Sequence, residues 1–177
     1  MAAQDLAAAL RRTESVLRRR PSAGLHDDAT GVARWVGGTR TLASHANGHE
    51  VVTDMPTELG GSGDRVSPGW MVRAGVASCT ATRIAMAAAS EGIELDSLEV
   101  RASSRSDTRG LLGMAEADGA RVYPGPHDMQ MVVRISARGV PPERLRALVD
   151  ESQRSSPMLS ALQDAVPVAL QIEIGAD

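Results

Sequence analysis

At 177 residues the chain can close one domain around its own core and is short for two. A formal charge of -3 offers no concentrated positive surface for nucleic acid or anionic lipid, and all 19 basic side chains are arginine, so Schiff-base chemistry is excluded. One cysteine excludes an intrachain disulfide and a multi-thiolate metal site; with no Phe, two Trp and one Tyr there is no stacking platform for single strands.

The first segment, residues 3–19, sets Leu6, Leu10, Val16 and Leu17 at helical spacing, with arginines gathered toward its end and Pro21 stopping it. It reads as an amphipathic helix docked on the body. It has no sustained apolar run of the secretory kind, and no later stretch approaches a membrane span, so a cytoplasmic, membrane-free protein is expected. Short extended runs follow at Val32–Val36, Arg40–Ser44 and Glu50–Thr53, separated by Gly37-Gly38 and by Asn47-Gly48, a strong hairpin signal. They predict an antiparallel meander.

Residues 55–68 form a glycine-rich connection in which the Gly60-Gly61-Ser-Gly63 run reads as a flexible turn and Ser67-Pro68 supplies an N-cap and a first-turn proline. The helix that follows runs from Pro68 to Ser90, ends near Gly92, and is so rich in Ala that close neighbours on most sides are expected. Strands are predicted at Leu98–Ser104 and Gln130–Ala137 on either side of a long connection, then a helix opened by Pro141-Pro142. A short helical piece after Ser156-Pro157 and a last strand, Val166–Ile174, complete the chain. The order predicts an α+β fold, antiparallel sheet packed on helices.

Cys79 lies about three turns into its helix, beyond the reach of the N-terminal dipole, so activation of the thiol requires a nearby cation. Arg83, at i+4, shares its face; Arg73 lies about 120° away around the helix. Taken alone, a lone cysteine among alanines is more often an inert small hydrophobe. His26, His45, His49 and His127 fall in loops and turns without a third ligand for zinc, and no metal or cofactor is expected.

Three features occur together: Pro56-Thr-Glu-Leu-Gly-Gly61, then Ser67-Pro68 opening a helix with Ala77-Ser78-Cys79, and a distant Arg154-Ser155-Ser156-Pro157 before Val166-Pro-Val168. Their order resembles the OsmC/Ohr superfamily over about residues 30–174. The resemblance implies an OsmC-like fold, sheets around two central helices in an intertwined homodimer, with residues 1–24 as an extra N-terminal helical extension and 25–177 as the domain. It further implies reduction of organic hydroperoxides at an interfacial site, Cys79 taking the peroxidatic place and Arg40 that of the thiolate-stabilising arginine. Two positions depart from the pattern: the resolving cysteine is replaced by Ser156, and the arginine-orienting glutamate by Gly69. A single-cysteine branch is therefore expected, with Arg73 as a compensating cation, an external thiol as reductant and a small apolar hydroperoxide as substrate, since no second thiol can resolve a sulfenate. The alternative left open is a non-catalytic dimer that binds an apolar small molecule.

Overall fold

The computed structural model describes residues 3–164 and 166–175. Helix α1 (Ala3–Arg19) packs on the chain through its N-terminal half, where Ala7 is buried, while residues 11–16 and the terminal arginines are exposed. Strands β1 (Val32–Gly37), β2 (Arg40–Ser44) and β3 (Glu50–Thr53) form an antiparallel meander in that order, Arg34 opposite Leu42 and Leu42 opposite Val52. Gly37, Gly38 and Gly48 adopt positive φ at the two hairpin turns, as the Gly-Gly and Asn-Gly pairs predict.

The connection to the long helix is a held turn rather than a flexible one. A 3-10 turn at Thr57–Leu59 ends on Gly60 at φ 82°, and a Cβ on Gly61 would sit 1.8 Å from the Met55 carbonyl oxygen. Only glycine permits that approach. The Ser67 hydroxyl then accepts the Trp70 N–H at 3.2 Å, and Pro68 opens helix α2 (Pro68–Ser90). Its far end closes on Gly92 (φ 71°): Ile93 N–H reaches the Ala88 carbonyl at 2.8 Å and Gly92 N–H that of Ala89 at 3.1 Å, the paired bonds of a Schellman motif.

Strands β4 (Ser97–Arg105) and β5 (His127–Ser136) pair antiparallel with Val100 opposite Val133, and β5 starts three residues earlier than the sequence pattern suggests. The connection between them carries a one-turn helix, α3 (Thr108–Leu111), capped by Asp107. Helices α4 (Pro142–Gln153) and α5 (Pro157–Gln163) follow. The core is Ile84 and Ala88 of α2 against Leu148 and Val149 of α4, extended by Leu98, Val100, Val133 and Ile135 from one face of β4–β5. Alternation along both strands puts apolar residues on that face and Glu99, Arg101 and Arg134 on the other.

Two parts of the chain lack the burial their sequences imply. In the first sheet Val32, Trp35, Val36 and Val51 are exposed. The expected last strand, Val166–Ile174, is not one: residues 166–175 contain no strand, and Val166, Val168, Leu170, Ile172 and Ile174, every second residue, are exposed. A strand exists only in a ladder, and among the described residues none pairs with this segment. Of the helix α2 faces, only one is fully covered, by Val76, Thr80, Ile84 and Ala88; Ser78 and Thr82 remain exposed, contrary to the expected burial on most sides. No helix among the described residues is long and apolar enough to cross a membrane.

Candidate functional site

Cys79 sits mid-way along α2, partly buried, one residue before the fully buried Thr80. Its partner comes from the α4–α5 connection. Leu145, Leu148, Val149 and Ser152 bury one face of α4. This brings the following Ser155-Ser156 onto α2, and the Ser156 hydroxyl donates to Cys79 Sγ at 3.7 Å. Ser156 is 0% exposed.

Ser156 occupies the N-cap position of α5, with Pro157 in the first turn, yet its side chain makes no capping bond. A capping serine ordinarily accepts from the helix N–H groups, a contribution of about 1 kcal/mol. Here the hydroxyl faces the sulfur instead, and it also lies 3.4 Å from Thr80 Oγ1. The Thr80 hydroxyl in turn donates to Met131 Sδ of β5 at 3.7 Å. Thr80 and Met131 escaped the sequence reading, which weighed only residues with titratable or nucleophilic groups. Adjacency to Cys79 was the one available signal for Thr80, and nothing local marked Met131.

The three candidate arginines stand in different electrostatic settings. Arg83, one turn beyond Cys79, donates through Nε to Ser155 Oγ at 2.7 Å, so it is tied to the same connection that carries Ser156. Arg73 donates to Ser104 Oγ at 3.5 Å, and its Nη1 lies 3.6 Å from where a Cβ on Gly69 would stand. Gly69 thus leaves room for that guanidinium. Both arginines meet neutral hydroxyls and, among the described residues, neither is paired with a carboxylate.

Arg40 is neutralised. Its Nε donates to Asp54 at 3.0 Å and its Nη2 to Asp64 and Ser62. Asp54 is only 2% exposed and also accepts from the Thr39 hydroxyl at 2.6 Å and from the Ser62 N–H at 3.0 Å. These hydrogen bonds, that of the Ser62 side chain foremost, hold the Asp54 carboxyl well below the usual carboxylate range, while Asp54 and Asp64 raise the arginine. The cluster clamps the start of β2 to the glycine-rich turn before α2, and within this chain Arg40 makes no bond to Cys79 among the described residues.

A depressed folded-state pKa contributes stability above the unfolded value, lost as pH falls through the folded one. Asp54→Asn is therefore expected to lower the melting temperature at neutral pH, with the gap from wild type shrinking as the pH drops below the ordinary aspartate range. Thermal melts as a function of pH check this. A gap that widens toward acid would show that Asp54 is not held ionised.

The remaining candidates are structural by position. His45 Nδ1 accepts the Asn47 N–H at 3.1 Å and its own N–H meets the His49 carbonyl at 2.9 Å, which builds the hairpin turn. Among the described residues no group of three His, Cys, Asp or Glu side chains is placed to hold a metal. Of the apolar residues around Cys79, Val76 is part of the interior, whereas Val72 is exposed. A large open cavity, about 920 Å³, lies elsewhere, between α1 and the turn after α2.

Three solved structures share this architecture. An OsmC-like protein from Mycoplasma pneumoniae superposes with a TM-score of 0.64 at 15% identity, covering 78% of this chain and 89% of that one. The organic hydroperoxide resistance protein OsmC of Legionella pneumophila gives a TM-score of 0.55 at 20% identity, covering 78% and 92%. An organic hydroperoxide resistance protein from Elizabethkingia anophelis gives 0.57 at 18%, covering 78% and 90%. No curated protein matches the sequence. A family model described as OsmC-like protein matches residues 61–171, a span that takes in α2 with Cys79, the β4–β5 pair and the Ser156 connection. With that match over well more than half its length, the chain belongs to the OsmC-like protein family.

Proposed function

We propose that the protein is a thiol-dependent peroxidase that reduces organic hydroperoxides through Cys79 alone and borrows its second thiol from solution. The observation that carries this reading is the Cys79 sulfur itself. The residue is partly buried, its sulfur accepts from the hydroxyl of Ser156, and one turn along its helix stands Arg83, whose charge no carboxylate offsets among the described residues. An arginine without a carboxylate partner is available to stabilise negative charge that develops during the reaction.

The Cys79 thiolate attacks the distal peroxide oxygen; the O–O bond breaks, the sulfur becomes a sulfenic acid, and the alkoxide leaves with a proton as the alcohol. An external thiol then displaces water from the sulfenic acid to form a mixed disulfide. A second thiol releases the Cys79 thiol and carries away the external disulfide, so two thiols are oxidised for each hydroperoxide reduced. In this reading Arg83 and Arg73 of α2 stabilise the negative charge that develops on the leaving oxygen.

The working unit is a homodimer. Support comes from what one chain leaves unfinished: apolar residues exposed on the first sheet, an open stripe of α2 at Ser78 and Thr82, and a C-terminal segment patterned as a strand with no ladder to join. A second copy would supply all three, and would bring a second set of arginines toward each thiol.

Stopped-flow mixing with an organic hydroperoxide, read by loss of free thiol, tests the activity. The wild type is expected to react at least about a hundredfold faster than free cysteine, and Cys79→Ser not at all. A wild-type rate no greater than that of free cysteine would remove the peroxidase reading.

A further inference from the structure

We infer that Ser156, Thr80 and Met131 form a reversible hydrogen-bond chain that lets Cys79 change between thiol and thiolate without leaving a buried hydroxyl unpaired, with Ser156 as the positioning residue for the thiolate. The inference rests on Cys79 being the nucleophile. It concerns how the fold supports that sulfur, not which oxidant it meets.

The chain is continuous: Cys79 Sγ to Ser156 Oγ is 3.7 Å, Ser156 Oγ to Thr80 Oγ1 is 3.4 Å, and Thr80 Oγ1 to Met131 Sδ is 3.7 Å. Both hydroxyls are 0% exposed, so water cannot substitute for a lost partner. A hydroxyl is one donor and two acceptor sites, and its hydrogen turns to suit its neighbours. When Cys79 is a thiolate, Thr80 donates to Ser156 and Ser156 donates to the sulfur. When Cys79 is a thiol, its S–H can donate to Ser156, Ser156 to Thr80, and Thr80 to Met131.

Met131 is what makes the second direction possible, because a thioether accepts and never donates. It terminates the thiol-state chain and contributes nothing to the thiolate state. Ser156 has the opposite bias: its bond to an ionised sulfur is charge-assisted and stronger than its bond to a neutral one. That it faces the sulfur from an N-cap position, where helix α5 would otherwise use it, is the trace of this role.

The charged groups around the sulfur do not replace the chain. On α2, Arg83 is bonded to Ser155 and Arg73 to Ser104, and on the α4–α5 connection Arg154 is exposed. Helix α5 carries no charged side chain, and α4 turns Leu148, Val149 and Ser152 inward with Glu143, Arg146, Asp150 and Glu151 exposed. Glu99, Arg101, Arg105, Asp128 and Arg134 of β4–β5 are exposed on the outer side.

The test is alkylation of Cys79 by iodoacetamide across the thiol titration range, read as the midpoint of the rate against pH. Ser156→Ala is expected to raise that midpoint by about one unit, since one charge-assisted donor is lost. Thr80→Val removes both the donor of the thiolate state and the acceptor of the thiol state, so it should move the midpoint less than Ser156→Ala does, and Thr80→Ser should restore the wild-type profile. Met131→Leu should move it the opposite way from Ser156→Ala, down by a few tenths, because only the thiol state loses its acceptor. Opposite signs at Ser156 and Met131 are what loose packing would not produce. The inference fails if the Ser156→Ala profile overlies that of the wild type, or if Met131→Leu shifts in the same direction as Ser156→Ala. Alkylation needs no peroxide, so these shifts seen in a protein that does not reduce hydroperoxide would uphold the chain and sink only the activity.

Discussion

Ser156→Cys is expected to turn the single-cysteine site into a self-resolving pair. The serine oxygen stands 3.7 Å from Cys79 Sγ, on a buried residue whose backbone is held between α4 and α5. A sulfur at that place needs only small side-chain rotations to reach disulfide distance, about 2.05 Å. Under the proposed mechanism, a sulfenic acid formed at Cys79 of the wild type waits for an outside thiol and is open to further oxidation. In the variant a neighbouring thiol is already in place, so attack on the sulfenic acid becomes intramolecular and faster than any encounter with a dilute reductant. One equivalent of hydroperoxide should therefore consume both thiols, and peptide mapping under non-reducing conditions should join the α2 peptide to the one carrying position 156. The wild type, treated alike, should trap a dimedone adduct on Cys79. Two free thiols persisting in the oxidised variant, beside a dimedone-labelled wild type, would show that the connection holds Ser156 away from the sulfur in solution.

The second large effect is expected at the C-terminal segment. Val166, Val168, Leu170, Ile172 and Ile174 alternate with Pro167, Ala169, Gln171 and Glu173, and all five apolar side chains are exposed in one chain. Burying each fully contributes about 1.5–3 kcal/mol, so leaving five in water is a large cost that a second copy can remove. Ending the chain at Gln163 should abolish the homodimer, and Ile172→Asp alone should weaken it by about 2 kcal/mol or more, roughly thirtyfold in the dissociation constant. Size-exclusion chromatography with light scattering reads both. A full-length protein that runs as a monomer at micromolar concentration would overturn the dimeric reading, and a truncated protein that still dimerises would assign the interface to the α2 face and the first sheet instead.

Legibility differed between the elements for identifiable reasons. Helix α2 was readable at both ends because its stops are local: a Ser-Pro start and a glycine that alone tolerates the closing φ of 71°. The hairpins were readable for the same reason. The glycine-rich connection was misread as flexible, since its order comes from Asp54, which gathers Thr39, Arg40 and Ser62 from separate segments. The last strand was misread because alternation predicts a strand's faces and says nothing of whether a neighbour exists.

The candidate site divides in the same way. That the chain holds a single cysteine at position 79, no lysine and a serine at position 156 was determined by the sequence, because these are statements about which atoms exist. Which of those atoms meet was decided only by the tertiary structure. Arg40 is drawn into an ion cluster with Asp54 and Asp64, Arg83 is left uncompensated beside Ser155, and two buried hydroxyls link the cysteine to a methionine from another strand. Hydrogen bonds act over a few ångströms, and those around Cys79 join residues more than fifty positions apart in the chain, which only the packing of α4 and β5 onto α2 brings within that range.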